Sequence, residues 1–460
     1  MGRVLGFAGV MKICLLESKK AQSETNLPPL GLGYLASSLR SQEKDAQVSY
    51  EENPDAILGL RPDLIGISSI TRNFNAAIQI ARGIKQCSDI PIIIGGVHLS
   101  ALPESMPDCF DIGVIGDGEE SFVEIVRALS QSGRLERGDL SSVPGLVYRD
   151  HGALVHTGAR RLERILDKYP FPERDIFIGK GFIPCRTNVH MVTSRGCPFR
   201  CTFCYNKGAW GQYRYFTAPY VVSELSTVLD RYCPSRVTFI DDLFTGHLRR
   251  LRQVARLMRE RGLHRRARYG CNSRANLMNE ETVSLLRRMG VKEVFLGLES
   301  ASNRVLSYLN KSGCTKEINQ RALDLCYKNR IGVNANFIIG TPVETGEDLD
   351  ETLRFIKENV RAFAMLTFGS LIPLPGTVFW EIAKRRGLIT DDLDIKKALI
   401  ENIDEATFDS YNRKFAAVCA EVRARRKKIR NRLSRWRSRM RTLFWRGVYA
   451  MRFHRGPCVR

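Results

Sequence analysis

Short apolar runs alternate with amphipathic segments along the first third of the chain. Four of these runs are apolar at consecutive positions, as in strands that are buried on both faces of a parallel sheet. They are Lys12–Leu16, Asp63–Ser69, Pro91–Ile94 and Ile112–Ile115. Between them, Asn75–Gln86 and Ser121–Leu129 place apolar residues three and four positions apart, the spacing of an amphipathic helix. The pattern predicts an α/β domain with helices on both faces of its sheet.

A second series of strand–helix units begins at Val189. Its predicted strands are Val189–Thr193, Val237–Ile240, Arg268–Cys271, Glu293–Leu296, Val333–Ile339 and Met365–Leu371. Helices are predicted between them, including Tyr220–Arg231, Asn279–Met289 and Glu347–Asn359. Six units at comparable spacing predict a partial (β/α)6 barrel of the TIM type, in which chemistry sits at the carboxyl ends of the strands.

These patterns divide the chain into four predicted parts. Residues 1–140 are expected to form a Rossmann-like, flavodoxin-like domain, and residues 141–185 a linker with a small hairpin. Residues 186–390 are expected to form the partial barrel, and residues 391–460 a helical, arginine-rich C-terminal region. The longest stretch without a charged residue is interrupted by Gly and Pro, which favours a barrel strand with its loop over a membrane span.

The positive charge of the chain is concentrated at its C-terminal end. The formal net charge is +22, and Glu421–Arg460 contains fifteen Lys or Arg residues against one acid. Trp436, Met440 and Phe444 interleave with these charges at a spacing of four, which predicts a basic amphipathic helix. Such a tail is compatible with a solvated terminus, an anionic membrane surface or nucleic acid. We favour the solvated terminus, then the membrane surface, and consider nucleic acid the weakest of the three.

Cysteine usage favours a reducing compartment. Thirteen cysteines are scattered without regular pairing, unlike the disulfide framework of a secreted scaffold. No signal peptide is recognised before the first predicted strand. We therefore expect a cytoplasmic protein, with peripheral contact to a membrane through the basic tail as the open alternative.

Three cysteines stand at the carboxyl end of the first predicted barrel strand. Cys197, Cys201 and Cys204 form a C-x3-C-x2-C motif on the loop after Val189–Thr193. Each thiolate of such a set can bind one iron of a [4Fe–4S] cube, which leaves the fourth iron without a protein ligand. Zinc would require a fourth Cys or His at short spacing, and the nearest histidine, His190, lies on the strand. The spacing therefore favours a cluster with one open iron over zinc, a disulfide or incidental cysteines.

This motif, with Phe203 beside Cys204, resembles the signature of the radical SAM enzymes, in which S-adenosylmethionine binds the fourth iron. Polar or glycine-rich residues follow the other predicted barrel strands, and they occur along the chain in the same order as the motifs of that family. They are Asp241 and Asp242, Arg274, Glu299, and the turn Gly340, Thr341 and Pro342.

The resemblance implies a role for each of these groups. Asp241 or Asp242 would accept the ammonium group of S-adenosylmethionine, because a carboxylate is the natural partner of a cation. Glu299 would meet the ribose or the methionyl part, and the Gly340–Pro342 turn would lie against adenine. Arg274 would either pair with the methionyl carboxylate or form a surface salt bridge.

Small residues end the predicted strands of the first domain. They are Ser68, Ser69, Gly95, Gly96, Gly116 and Gly118, with His98 close behind the second pair. Alone they are equally consistent with tight turns, and no G-x-G-x-x-G motif follows the first strand. Together with Asn26–Leu35 they resemble the cobalamin-binding domain that one group of radical SAM enzymes carries. The resemblance implies that they embrace cobalamin, with His98 either in the pocket or as a satisfied turn histidine. Because Lys19–Gly31 contains no histidine, the cobalt would lack a histidine ligand from that loop.

The two resemblances imply a cobalamin-dependent radical SAM enzyme that uses a [4Fe–4S] cluster, S-adenosylmethionine and cobalamin. The expected chemistry is reductive cleavage of S-adenosylmethionine to a 5′-deoxyadenosyl radical, followed by C-methylation or a related carbon-skeleton reaction. The expected substrate is a lipid, a tetrapyrrole or a secondary metabolite, and the expected electron donor is a flavodoxin or a ferredoxin. Two alternatives remain: modification of RNA with the basic tail on nucleic acid, and a redox- or iron-sensing protein that cleaves nothing.

Overall fold

The computed structural model describes residues 10–18, 28–133, 135–180, 188–206, 211–389, 403–404 and 406–428. These residues form two large sheets with helices around them and one two-stranded ribbon. The start of the predicted cobalamin motif, Asn26 and Leu27, and the basic tail after residue 428 lie outside the described residues.

The first sheet contains seven strands. They are β1 (Met11–Glu17), β2 (Ala46–Tyr50), β3 (Leu64–Ser68), β4 (Ile92–Gly95), β5 (Ile112–Val114), β6 (Leu146–Asp150) and β7 (Ala153–His156). The accompanying helices are α1 (Leu30–Gln42), α2 (Pro54–Gly59), α3 (Phe74–Cys87), α4 (Val97–Ala101), α5 (Glu119–Ser132) and α6 (Arg137–Ser141). The strand order is β2-β1-β3-β4-β5-β6-β7.

This order confirms the Rossmann-like, flavodoxin-like prediction. The five strands from β2 to β5 pair in parallel, and apolar clusters cover both faces of the sheet. The order reverses between β1 and β3, and ligands of such sheets bind beyond the carboxyl ends of the strands at that point. The hairpin predicted within 141–185 is present as β6 and β7, and it extends this sheet as an antiparallel edge.

The second sheet belongs to the barrel. Its strands are β8 (Asn188–Met191), β11 (Arg236–Phe239), β12 (Arg268–Ser273), β13 (Val291–Glu299), β14 (Gly332–Ile339) and β15 (Phe363–Ser370), and the ribbon consists of β9 (Ser194–Arg195) and β10 (Arg214–Tyr215). The helices are α7 (Ala218–Tyr232), α8 (Leu248–Glu260), α9 (Glu280–Arg288), α10 (Asn303–Tyr308), α11 (Lys316–Lys328), α12 (Gly346–Glu358), α13 (Val378–Arg385) and α14 over 406–428.

The six barrel strands are all parallel and lie in the order β15-β14-β13-β12-β11-β8, which confirms the predicted partial (β/α)6 barrel. Several barrel helices have an N-cap residue whose side chain accepts a hydrogen bond from a backbone amide of the first turn. These caps are Asn279, Ser302, Thr315 and Thr377, and Thr345 forms a capping box with Asp348. A cap fixes where a helix begins. The caps therefore define where the loops that precede these helices end.

A buried network of four charges joins the two sheets at their carboxyl ends. Asp117, in the loop after β5, accepts from Arg195 at 3.0 Å and pairs with Arg214. Glu119, at the start of α5, also pairs with Arg195. The Arg195 guanidinium lies 5.2 Å from the ring centroid of Tyr34. Burial alone would raise the pKa of Asp117, but Arg195 and Arg214 hold it below its ordinary value.

The described helices do not include one that is both long enough and apolar enough to cross a membrane. At the far end of the described chain, α14 contacts the barrel through Arg426, which donates to the carbonyl of Ala364 at 2.8 Å and pairs with Glu293. The helical character predicted for the C-terminal region is thus present over 406–428.

We expect Asp117→Asn to destabilise the protein, because the Arg214 side chain, 1% exposed, would lose its carboxylate partner. Removal of one partner from a buried ion pair costs about 3–5 kcal/mol. Urea denaturation followed by circular dichroism measures the change. Glu281→Gln, which removes the exposed Arg252–Glu281 pair, is the control and should change the midpoint little. Equal midpoints for wild type and Asp117→Asn would contradict the role of this network.

Candidate functional site

A cavity of about 580 Å³ lies between the carboxyl ends of the two sheets. The first domain contributes the ends of β1, β3, β4 and β5 and the start of α1. The barrel contributes Val192, Ser194, Arg195, Ile240, Asp241 and Asp242. The cavity therefore opens at the switch point of the first sheet, where α/β sheets bind their ligands.

Six of the seven residues predicted to embrace cobalamin line this cavity. They are Ser68, Ser69, Gly95, Gly96, Gly116 and Gly118. Gly96 has a φ of +106°, and a Cβ added to it would lie 2.3 Å from the Ser69 carbonyl oxygen, so only glycine fits there. A Cβ added to Gly116 or to Gly31 would meet nothing within 4 Å, because both positions face open space. This wall of small residues leaves room for a large ligand to approach the backbone.

The seventh residue, His98, lies behind this wall, in contrast to the prediction. Its ring is fully buried against Phe74, with the ring centroids 3.9 Å apart. Its Nδ1 lies 3.2 Å from the hydroxyl of Thr71, and burial lowers its pKa to about 4. His98 is thus a neutral packing residue, and no histidine is among the described residues that line the cavity.

The cysteine loop leaves the barrel between β9 and β10, whose pairing closes its base. Asp241, at the end of β11, accepts hydrogen bonds at 2.6 Å from the amide and hydroxyl of Thr193 and from the hydroxyl of Ser194. Arg250 donates to the carbonyl of Thr193 at 2.7 Å. Burial raises the pKa of the Asp241 carboxyl, although Arg250 and these hydrogen bonds oppose the rise. Asp241 therefore holds the start of the loop.

Asp242 differs from its neighbour in exposure. Its side chain is exposed, whereas Asp241 is 1% exposed. Asp242 accepts a hydrogen bond from the amide of Gly196 at 3.3 Å, and Gly196 has a φ of +82°. Both predicted carboxylates line the cavity, but Asp242 is the exposed one of the two.

The three cysteines lie together on this loop. The Cys204 amide donates to the Cys201 carbonyl at 3.1 Å, which folds the last four residues of the motif into a turn. Burial raises the pKa of the Cys197 thiol, and the neighbouring Cys201 adds to the rise. Among the described residues, no three His, Cys, Asp or Glu side chains converge on the position of a single metal ion. Cluster ligands do not need to converge in this way, because each thiolate binds a different iron.

Arg274 reaches the cysteine loop from the end of β12. Its Nη1 lies 3.3 Å from Cys201 Sγ, and its guanidinium lies 3.9 Å from the ring centroid of Phe199. Nη2 donates to the carbonyl of Ser312 at 2.8 Å. Arg274 is 5% exposed, so the surface salt bridge that was one of its two expected roles is not formed. At this distance the Arg274 guanidinium can donate a hydrogen bond to the Cys201 sulfur.

Glu299 is buried at the end of β13, where its φ is +64°, and it forms an ion pair with Lys311. The Lys311 ammonium lies 5.9 Å from the ring centroid of Phe203, which connects this pair to the cysteine loop. A Cβ added to Gly297 would lie 2.2 Å from Glu299 Oε1, so a side chain there would displace the Glu299 carboxylate. Sequence analysis misses Lys311 because nothing in its local pattern distinguishes it from a surface lysine.

The Gly340 turn at the end of β14 is held by Glu344. The amides of Gly340 and Thr341 donate to Glu344 Oε2 at 2.5 and 3.3 Å, and Gly340 has a φ of +82°. Burial raises the pKa of Glu344 to about 7. Pro342 follows directly, so the predicted turn is present as a compact unit. Its residues are not among those that line the cavity between the sheets.

Tyr205, directly after Cys204, is a second residue that sequence analysis misses. Its hydroxyl donates to the carbonyl of Ser100 in α4 at 2.8 Å, and its ring occupies the space beside Gly376. The Ser100 hydroxyl accepts from the Gly116 amide at 2.9 Å and donates to the Gly96 carbonyl at 3.0 Å. One chain of hydrogen bonds therefore connects the cysteine loop to two glycines of the cavity wall.

Family models match both halves of the chain. A model described as the Radical SAM superfamily matches residues 191–356, and one described as a B12 binding domain matches residues 20–126. An uncharacterized methyltransferase of Pyrococcus horikoshii is 31% identical over 399 residues, which are 83% of this chain and 84% of that protein. The anaerobic magnesium-protoporphyrin IX monomethyl ester cyclase of Rubrivivax gelatinosus is 29% identical over 361 residues, 74% of this chain but only 63% of the cyclase.

A solved structure shows the same fold. The cobalamin-dependent S-adenosylmethionine radical enzyme OxsB, with aqua-cobalamin and S-adenosylmethionine bound, superposes with a TM-score of 0.70 at 20% identity, over 88% of this chain and 66% of that chain. The family models and the 31% identical relative of nearly the same extent place the chain without ambiguity. It belongs to the radical SAM superfamily, in the group that joins a B12-binding domain to the radical SAM domain, and is an enzyme whose cofactors are a [4Fe–4S] cluster, S-adenosylmethionine and cobalamin.

Proposed function

We propose that this enzyme transfers a methyl group to carbon, or carries out a related carbon-skeleton reaction, on an apolar small molecule. The observation that carries the proposal is that the cysteine loop and the glycine-lined cavity meet across one buried charge network. When bound, the cluster with S-adenosylmethionine supplies radical chemistry at an unactivated carbon, and cobalamin supplies a methyl group. The protein must bind and orient these groups and exclude water.

Cys197, Cys201 and Cys204 are assigned to the cluster. Arg274 is assigned to the support of Cys201, because a hydrogen bond to a cluster sulfur is one of the means by which proteins adjust its reduction potential. Asp241 is assigned a positioning role, since its carboxylate is already occupied by Thr193 and Ser194.

Asp242 is the carboxylate that we assign to the ammonium group of S-adenosylmethionine, because it is exposed at the cavity. Glu299, neutralised by Lys311, is assigned to the ribose or methionyl part, and Phe203 lies beside this pair. The Gly340–Pro342 turn is assigned to adenine, because its glycine permits close approach and Glu344 fixes its shape.

An apolar rim around the mouth of the cavity supports an apolar substrate. Two exposed aliphatic side chains, Ile70 and Val97, line the cavity, and three more, Ile372, Leu374 and Val378, follow the carboxyl end of β15. The Tyr205 side chain brings the two groups together, because it contacts both α4 and the loop at Gly376. A lipid-like or tetrapyrrole-like molecule would cover such a rim.

The electron donor is proposed to be a flavodoxin or a ferredoxin, as the cluster chemistry requires one-electron reduction. Modification of RNA is not favoured, because the relatives above are named as a methyltransferase and as a cyclase of a tetrapyrrole ester. A sensor without catalysis is not favoured either, since the family consists of enzymes.

Product analysis tests the proposed reaction. The reconstituted, reduced protein is expected to form 5′-deoxyadenosine from S-adenosylmethionine. With methyl-labelled S-adenosylmethionine and added tetrapyrrole or lipid extract, label is expected in an apolar product. Formation of 5′-deoxyadenosine with an unlabelled, altered product would favour rearrangement. If neither nucleoside nor product forms, the proposal is wrong.

Cys201→Ala is expected to abolish the cluster, because two thiolates cannot hold a cube that needs three. Anaerobic reconstitution should give about four irons and the broad visible absorbance of a [4Fe–4S] cluster in the wild type. The variant should lose both. Cys87→Ala, which removes an exposed cysteine of the first domain, is the control and should keep them. Full iron content in Cys201→Ala would exclude this cysteine as a ligand.

Gly31→Leu is expected to weaken cobalamin binding by at least about tenfold, because the side chain would project into the cavity and remove apolar contacts of the ligand. Gly83→Leu is the matched control, since Gly83 is also helical and open but lies on α3, away from the cavity. Equilibrium dialysis with hydroxocobalamin measures the affinity. Equal affinities of the two variants would show that cobalamin does not use this cavity.

A further inference from the structure

The amino-terminal ends of the barrel strands form a positively charged edge on the side opposite the cavity. Arg236 lies directly beside Arg268 in the register of β11 and β12, and β13, β14 and β15 begin alongside. Lys292, Arg330 and Arg361 stand at or just before the starts of these three strands, and all three are exposed. Because adjacent strands lie about 5 Å apart, the charges form a row.

The helices that return to this edge add to its charge. Near the ends of α8 and α9, the exposed basic residues are Arg259, Arg261, Arg265, Arg287 and Arg288. Acids of the same edge are largely neutralised: Glu260 pairs with Arg256 at 2.9 Å and Asp230 with Arg266 at 2.6 Å. Glu358, at the end of α12, adds one negative charge. The edge is therefore strongly cationic.

The last described helix ends at the same edge. Arg426 of α14 contacts Ala364 and Glu293, which lie near the starts of β15 and β13, and Glu293 also pairs with Arg236 at 2.6 Å. Arg423, Lys427 and Lys428 are exposed beside it. The sequence that follows residue 428 contains ten arginines and no acid. The sequence after the last described residue is thus also strongly basic.

We propose that this cationic edge, formed by the basic residues just named, docks the enzyme on an anionic phospholipid bilayer. A row of strand and helix ends presents many charges on one broad surface, and each basic residue near an anionic bilayer adds attraction. Trp436, Phe444 and Trp445 interleave with the arginines of the following sequence, and aromatic residues are typical anchors at the lipid interface. Nucleic acid could use the same charges and stack bases on the same aromatic residues, so the test below includes RNA.

The position of the edge indicates what such a contact does. The cavity and its apolar rim lie at the carboxyl ends of the strands, and the cationic edge lies at the amino-terminal ends. A molecule attached through this edge therefore directs its cavity away from the bilayer. The contact would retain the enzyme at the bilayer surface and leave the mouth of the cavity accessible to an electron donor.

Co-sedimentation of the full-length protein with vesicles tests the proposal. We expect binding to vesicles of phosphatidylcholine with phosphatidylglycerol, little binding to phosphatidylcholine alone, and loss of binding as salt increases. The triple variant Arg265→Glu/Arg288→Glu/Arg361→Glu is expected to reduce the partition coefficient by at least about tenfold. The control Lys44→Glu/Arg61→Glu/Arg82→Glu changes the net charge equally on the first domain and should bind as the wild type does.

Four results would overturn the proposal. They are equal binding to neutral vesicles, unchanged binding of the triple variant, an equal loss in the control variant, and binding to transfer RNA that survives salt at which binding to anionic vesicles is lost. Circular dichroism of both variants verifies that they are folded. Because vesicle binding needs no cofactor, failure here leaves the proposed reaction untouched.

Discussion

The pairing of Asp117 and Glu119 with Arg195 and Arg214 is the interaction on which the rest of the structure depends. All four side chains are buried; the two acids follow β5 of the first sheet, and the two arginines belong to the ribbon at the base of the cysteine loop. Charges so far from water are tolerated only if they are paired, so the two sheets must meet in this arrangement. Arg195 stands two residues before Cys197, and the network therefore also fixes the direction of the loop.

A second connection between the cysteine loop and the first domain consists of hydrogen bonds between uncharged groups. Tyr205, directly after the last cysteine, joins the loop to Ser100, and Ser100 contacts the backbone at Gly96 and Gly116. The base of the loop and the end of its cysteine motif are thus both tied to the first domain. An enzyme whose cofactors act together on one substrate needs such fixed distances, because misplacement of reacting groups by about 1 Å can cost about a hundredfold in rate.

Most of the strands and both domains can be predicted from the sequence, but the contacts that join the two domains cannot. Apolar runs identify most strands, but β2 is missed, because Ala46–Tyr50 is short and alternates polar with apolar residues at the edge of the sheet. The cysteine spacing is a local signal and is readily recognised. By contrast, the partner of Arg195 lies 76 residues away at Glu119, and no local pattern records such a pairing.

For the same reason, the sequence does not show which of the predicted site residues are buried and which are exposed. Asp241 and Asp242 are chemically identical in the sequence, and only the fold shows that the first is buried and bonded to Thr193 while the second is exposed. His98 follows a glycine pair that lines the cavity, yet the first turn of α4 directs its ring to Phe74. Burial and direction are set by tertiary packing, which a single sequence does not record.

The most direct test of the central claim is the electron paramagnetic resonance spectrum of protein that holds both the reduced cluster and cob(II)alamin. If the charge network and Tyr205 hold the cysteine loop against the glycine-lined cavity, the two spins are close. We predict that the cobalamin signal relaxes faster than it does in Cys201→Ala, which lacks the cluster spin. A cobalamin signal that is identical in the two proteins would contradict the arrangement described.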